Sequence, residues 1–363
     1  MSRPIKLAGG LRGAKILNGG FMAPKGFLIE PFGEDQLLLK PVRRMNVAML
    51  TNTNTFASSY LLKCERRSKR RKIEWLLIAF DSIGLTRAYE GRIEAKMRAY
   101  TKGSRIKEVQ TLIFPLPKVE AERIRSISSG EDGFAFSFFL GDDYPCTVAG
   151  MAYGSAKNRG AGRSVLLLTD VKISAELLRK ALKAAVKETF SMLLGGNGRN
   201  DCIYALSSCE AENLIVTEKD VEYDKFCRAL KFVADELAKR IACAGEEKPL
   251  RYTVKGAYSK QAARAVVKTL LQREDVALLA HERLAEDVLQ AVGGTPALAS
   301  RERLTIDIVS PTGKLCLFTE GYALPVSVER FGEVLLGEEI EVVADLAVGN
   351  FSASGWTYVH KKI

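Results

Sequence analysis

One hydroxyl stands out for its setting. Residues 149–155 (Ala-Gly-Met-Ala-Tyr-Gly-Ser) and 157–164 (Lys-Asn-Arg-Gly-Ala-Gly-Arg-Ser) are mostly small, and they lead to Ser164 followed by the apolar run Val165-Leu166-Leu167-Leu168. This reads as a small-residue loop that delivers Ser164 to the first position of a buried strand. Glycines there permit positive φ and close backbone approach, which suit an exposed nucleophile and its oxyanion donors. A hydroxyl is weak until a base takes its proton. His281, beside Glu282, could be imagined as an acid/base pair with it, but neighbours on a helix point to different faces. His281 reads better as the start of a helix whose Leu284, Val288 and Leu289 pack inward. With His360 the only other histidine and no HExxH pattern, neither a metal nor a cofactor is expected.

A different chemistry is suggested by Lys63-Cys64-Glu65-Arg66-Arg67-Ser68-Lys69-Arg70-Arg71-Lys72, where seven of ten residues are basic. Lys63, Arg66, Arg67, Lys69, Arg70, Arg71 and Lys72 could grip phosphates with release of counterions, or they could be a solvated hairpin tip. No aromatic residue interleaves them, so backbone grip rather than base stacking is indicated. Residues 1–163 carry 28 Lys+Arg against 15 Asp+Glu, whereas residues 164–363 carry 26 against 28, so the whole excess of the +11 net charge precedes Ser164. That asymmetry points to an anionic partner for the first half.

The elements that must position these groups can be read from periodicity. Short apolar runs at 37–39, 47–50, 75–80, 109–114, 202–206, 251–254, 304–309 and 339–345 predict strands. Helices are predicted from Ser174 (Leu178, Ala181, Leu182, Ala185 and Val186 inward), from about Tyr223 to Ala244, and from Ser259 onward. Helices that follow strands by short links imply an α/β (α+β) sandwich of mixed sheets with packed helices. The Gly195–Asp201 segment reads as a structural turn, since no Gly-Lys-Ser/Thr closes it as a phosphate loop. Seven cysteines without a CxxC pair suggest a reducing compartment, and no run reaches the roughly 18 apolar residues of a membrane span. Residues 1–18 form a basic extension, either a targeting peptide or an ordinary tail.

Several of these stretches resemble the ornithine acetyltransferase (bifunctional glutamate N-acetyltransferase) family of arginine biosynthesis. The resemblance runs over nearly the whole chain, beginning at Gly19-Gly20 and Met22-Ala23-Pro24-Lys25-Gly26-Phe27. That family has a Lys-Gly-Ser-Gly turn and, ten residues on, an Ala-Thr pair at which the precursor cuts itself, freeing the threonine as nucleophile. The same distance from Gly154 falls on Ser164, preceded by Arg163 instead of alanine. The resemblance implies residues 19–163 and 164–363 as the equivalents of the family's two chains. It also locates departures. The oxyanion Thr-Gly falls on Val109-Gln110, the catalytic glutamate on His281, and the substrate loop on Ser128–Gly133. The Asn-Asp of a further loop is kept as Asn200-Asp201, and the substrate-holding terminus is missing beyond Ile363.

From the departures and the charge, the expectation is a non-catalytic structural subunit, a pseudoenzyme docking on RNA and neighbouring proteins in a mitochondrial, ribosome-like ribonucleoprotein. A small-molecule substrate is not expected on that reading, nor membrane insertion. The alternatives are a residual glutamate/ornithine N-acetyltransferase or self-cleaving hydrolase using Ser164, and a scaffold holding an acidic protein through residues 63–72.

Overall fold

The computed structural model describes residues 11–17, 21–31, 36–41, 44–51, 55–61, 73–81, 106–115, 133–141, 144–153, 163–193, 201–213, 215–243, 248–272 and 281–359. They group into two units. One holds the described residues up to 153 together with 163–185 and 201–237, and the other holds 186–193 and 238–359. The basic run at 63–72 and the Gly-rich segment 195–200 lie outside the described residues.

The first unit contains a seven-stranded and a four-stranded sheet. The larger one runs β1 (Lys15–Ile16), β8 (Phe134–Leu140), β9 (Tyr144–Tyr153), β10 (Ser164–Thr169), β11 (Cys202–Ser207), β4 (Arg44–Thr51) and β5 (Thr55–Leu61), in that spatial order. Only β10 and β11 pair in parallel. The smaller runs β2 (Phe27–Pro31), β3 (Gln36–Pro41), β6 (Ile73–Asp81) and β7 (Ile106–Pro115), with β6 and β7 parallel. β10 is the middle strand of the seven-stranded sheet, and Val165 to Leu168 are all buried.

Residues 149–153, expected as loop, are the second half of β9. Gly150 serves packing here instead of a turn. A Cβ on it would lie 2.6 Å from Leu237 Cδ1 and 2.7 Å from Leu167 Cδ2. Leu237 belongs to α2 (Val221–Ala242), whose Phe232 ring also meets Phe134 at 5.5 Å and Phe136 at 4.8 Å between centroids. The bare backbone of Gly150 thus lets the helix approach the sheet. Helix α1 (Ala175–Glu188) begins at the expected cap, with Ser174 Oγ accepting the Leu177 N–H at 3.3 Å. It touches α2 where the Tyr223 hydroxyl donates to the Leu177 carbonyl at 3.4 Å.

The second unit is a six-stranded sheet ordered β15 (Tyr322–Ala323), β14 (Gly313–Thr319), β13 (Thr305–Ser310), β16 (Ile340–Asp345), β12 (Lys248–Ala257) and β17 (Phe351–Val359). Helix α3 (Lys260–Leu271) packs on β12 and β17 and against α4 (His281–Gly293), while α5 (Val328–Leu335) covers β13 and β14. Alternating burial along β13 and β16 places Ile306, Ile308, Ile340, Val342 and Ala344 in one core with Val266, Val267 and Leu270 of α3. The mixed-sheet α/β architecture inferred from periodicity is what forms. Hairpin β8–β9 was not anticipated, although Gly133 and Gly141 mark off Phe134–Leu140 on either side.

Candidate active site

Ser164 opens β10, and its Cα pairs with Tyr153 on β9 and Cys202 on β11. The backbone that follows the candidate nucleophile is therefore held on both sides by strand ladders. What precedes it is held by a side chain. The Arg163 N–H donates to Asp201 Oδ1 at 2.9 Å, and the Arg163 Nε lies 3.4 Å from the same oxygen. One carboxylate oxygen thus holds both the backbone and the guanidinium of the residue before Ser164.

Both partners are deeply buried, Arg163 at 5 % and Asp201 at 6 % exposure. Arg163 Nη1 is buried without a hydrogen-bond partner among the described residues. A buried guanidinium needs its counter-charge, and removing one partner from such a pair costs about 3–5 kcal/mol. Asp201 thus gives the charged side chain before Ser164 a buried counter-ion. Spacing alone could not have found it. The signal available was the coincidence of an arginine where the resembled family has alanine with the kept Asn200-Asp201 pair.

At the other end of β10 lies a second buried polar group. Asp170 is 1 % exposed and accepts the Thr147 N–H at 2.8 Å; Thr169 Oγ1 donates to the Thr147 carbonyl at 2.9 Å. Asn213 Oδ1 accepts the Lys172 N–H at 3.1 Å, and the Cys146 thiol points to the same oxygen at 3.7 Å. Burial raises the Asp170 carboxyl to about 6, against the lowering effect of the Thr147 and Lys25 N–H groups. Burial, helped by the neighbouring Asp170, pushes the Cys146 thiol up to about 12, so it is no nucleophile at neutral pH. These groups tie β9 to the end of β10 and to Asn213 beyond β11.

The remaining candidates fall elsewhere. His281 is the first residue of α4 in the second unit, whereas Ser164 belongs to the first. Val109 and Gln110 sit on β7, paired with Trp75 and Leu76 of β6. Lys63, Arg66, Arg67, Lys69, Arg70, Arg71 and Lys72 lie outside the described residues.

Comparison with known proteins bears on what such a site does. The chain is 24 % identical to the arginine biosynthesis bifunctional protein ArgJ of Caldanaerobacter subterraneus subsp. tengcongensis over 94 % of its own length and 96 % of the relative's. It is 30 % identical to the glutamate N-acetyltransferase of Methanopyrus kandleri, covering 71 % of this chain and 68 % of that one. Among solved structures, the ArgJ protein of Bacillus halodurans superposes with a TM-score of 0.46 at 24 % identity, covering 55 % of this chain and 94 % of that one.

The likeness to an arginine biosynthesis bifunctional protein and to a glutamate N-acetyltransferase overturns the expectation of a non-catalytic ribonucleoprotein subunit. Excess positive charge governs solubility and association and carries no information about the reaction, which is why it misled. The profile of the ArgJ family matches residues 129–358, well over half the sequence and including Ser164 and Asp201, and the chain belongs to that family.

Proposed function

We propose that this chain is an acetyltransferase of amino-acid substrates, with Ser164 as the acyl carrier. The observation that carries this is the place of Ser164 within the family match, at the first position of a central strand whose backbone is fixed on both sides. A nucleophile gains most when its position is set before substrate arrives. In the reaction, Ser164 Oγ attacks the acetyl carbonyl of an N-acetylated donor such as N-acetylornithine, and the donor's amine leaves with the hydroxyl proton. The acetyl ester on Ser164 is then attacked by the amine of glutamate, giving N-acetylglutamate and restoring the hydroxyl. The base is the terminal amine of Ser164 itself once the Arg163–Ser164 bond is cut, the arrangement implied by the family resemblance.

The assay is direct. Protein cut between Arg163 and Ser164, given N-acetylornithine and glutamate, is expected to form N-acetylglutamate, and Ser164→Ala is expected to run at least about 100-fold slower, as loss of an attacking group does. Equal rates for the two proteins, or no transfer by either, would overturn the reading.

A further inference from the structure

The Arg163–Asp201 pair stands at the one peptide bond whose scission the proposed function needs, and that placement gives it a role beyond packing. Cutting by Ser164 requires its Oγ to add to the Arg163 carbonyl carbon. The C–N bond to Ser164 then breaks as the hydroxyl proton passes to that nitrogen. Water hydrolyses the resulting ester, leaving the Arg163 carboxylate, the Ser164 hydroxyl and a free Ser164 amine. Every stage departs from the planar amide and displaces the acyl residue.

That displacement is opposed at both ends of the bond. On the amine side, Ser164 is already in register with Tyr153 and Cys202. On the acyl side, Asp201 Oδ1 holds the Arg163 N–H at 2.9 Å and stands 3.4 Å from Nε. Arg163 cannot turn without carrying a charged group away from its counter-ion inside the protein, and both are more than nine-tenths buried. Alanine at position 163 would supply the backbone contact alone. We propose that the buried Arg163–Asp201 pair is a latch that keeps the Arg163–Ser164 bond closed to Ser164, so that the chain stays in one piece until the pair is broken.

The latch rests on Ser164 being a competent nucleophile, as in the function proposed above, but it is tested separately. Purified wild-type chain, Arg163→Ala, and the double variant Arg163→Ala with Asp201→Asn are incubated at neutral pH and followed by intact mass. The double variant leaves no buried charge unpaired, and its folding is checked by thermal unfolding. The wild type is expected to remain whole, while both variants cut themselves at 163–164 at least 10-fold faster, with a new N-terminus at Ser164. Adding Ser164→Ala should stop this, and a cut after alanine excludes a contaminating trypsin-like protease. Variants that stay whole while folded, or a wild type that cuts at the same rate, would overturn the latch. Cutting of the variants without acetyl transfer would keep the latch and sink the proposed function; a wild type that cuts itself as fast as the variants and transfers acetyl groups would do the reverse.

Discussion

Asp170 is an ionisable group whose proton the fold holds more tightly than water does. Burial raises its carboxyl from 3.8 to about 6, and backbone N–H donors only partly offset that. A carboxyl with a raised folded-state value binds more protons folded than unfolded, so its contribution to stability is fully present below about 4 and is lost as pH rises through about 6. Asp170→Asn is expected to flatten that slope between pH 4 and 6 in denaturant titrations, since the amide oxygen can still accept the Thr147 N–H. Cys146 gives a second check at this scale. With its thiol at about 12, it should stay unmodified by iodoacetamide at pH 8 in the folded protein and react once the chain is unfolded, as peptide mapping would show. Neither group was visible beforehand. Position 170 reads only as the polar residue after an apolar run, and the Thr147 N–H that it accepts lies 23 positions away in sequence.

Among the elements, helix starts were the most legible. Ser174 is the expected N-cap and Ser259 the expected helix start, and Ser259 proves to cap its helix, its Oγ accepting the Ala262 N–H at 3.1 Å. A Ser259→Ala substitution should cost about 1 kcal/mol, read from a shift in urea midpoint. The glycines were less legible, because a turn and a close approach look alike in a sequence. Gly150 read as loop and proved to be a strand residue beneath a helix. Gly355 on β17 behaves the same way in the other unit. A Cβ there would lie 2.6 Å from the Met192 carbonyl oxygen and 2.7 Å from Leu271 Cδ1. The first of these is backbone and cannot swing aside as a side-chain end can. Gly355→Ala is therefore expected to destabilise by about 1–3 kcal/mol, measurable by the same titration.

Taken whole, the architecture was readable because buried strands and amphipathic helices leave a periodic trace, as Leu304–Val309 and Tyr223–Ala242 do. The function was harder to read. Departures at Val109, Gln110, Arg163 and His281 were taken together with the charge excess as signs of lost chemistry. Yet the ArgJ family match spans residues 129–358, with Arg163 and His281 inside it. Sequence spacing could point to Ser164 and could not show that Arg163 has its counter-ion at Asp201, because that contact joins residues 38 positions apart.

The strand order also says what would follow a cut before Ser164. Strands β10 and β11 come after that point in the chain, yet they lie between β9 and β4, which come before it. The two fragments would be interleaved like clasped fingers, with a ladder of backbone hydrogen bonds on each flank replacing the severed link. They should elute together from a sizing column as one particle and part only in denaturant, where a gel would show two bands. Scission here would change the chemistry at one end of a strand and leave the molecule whole.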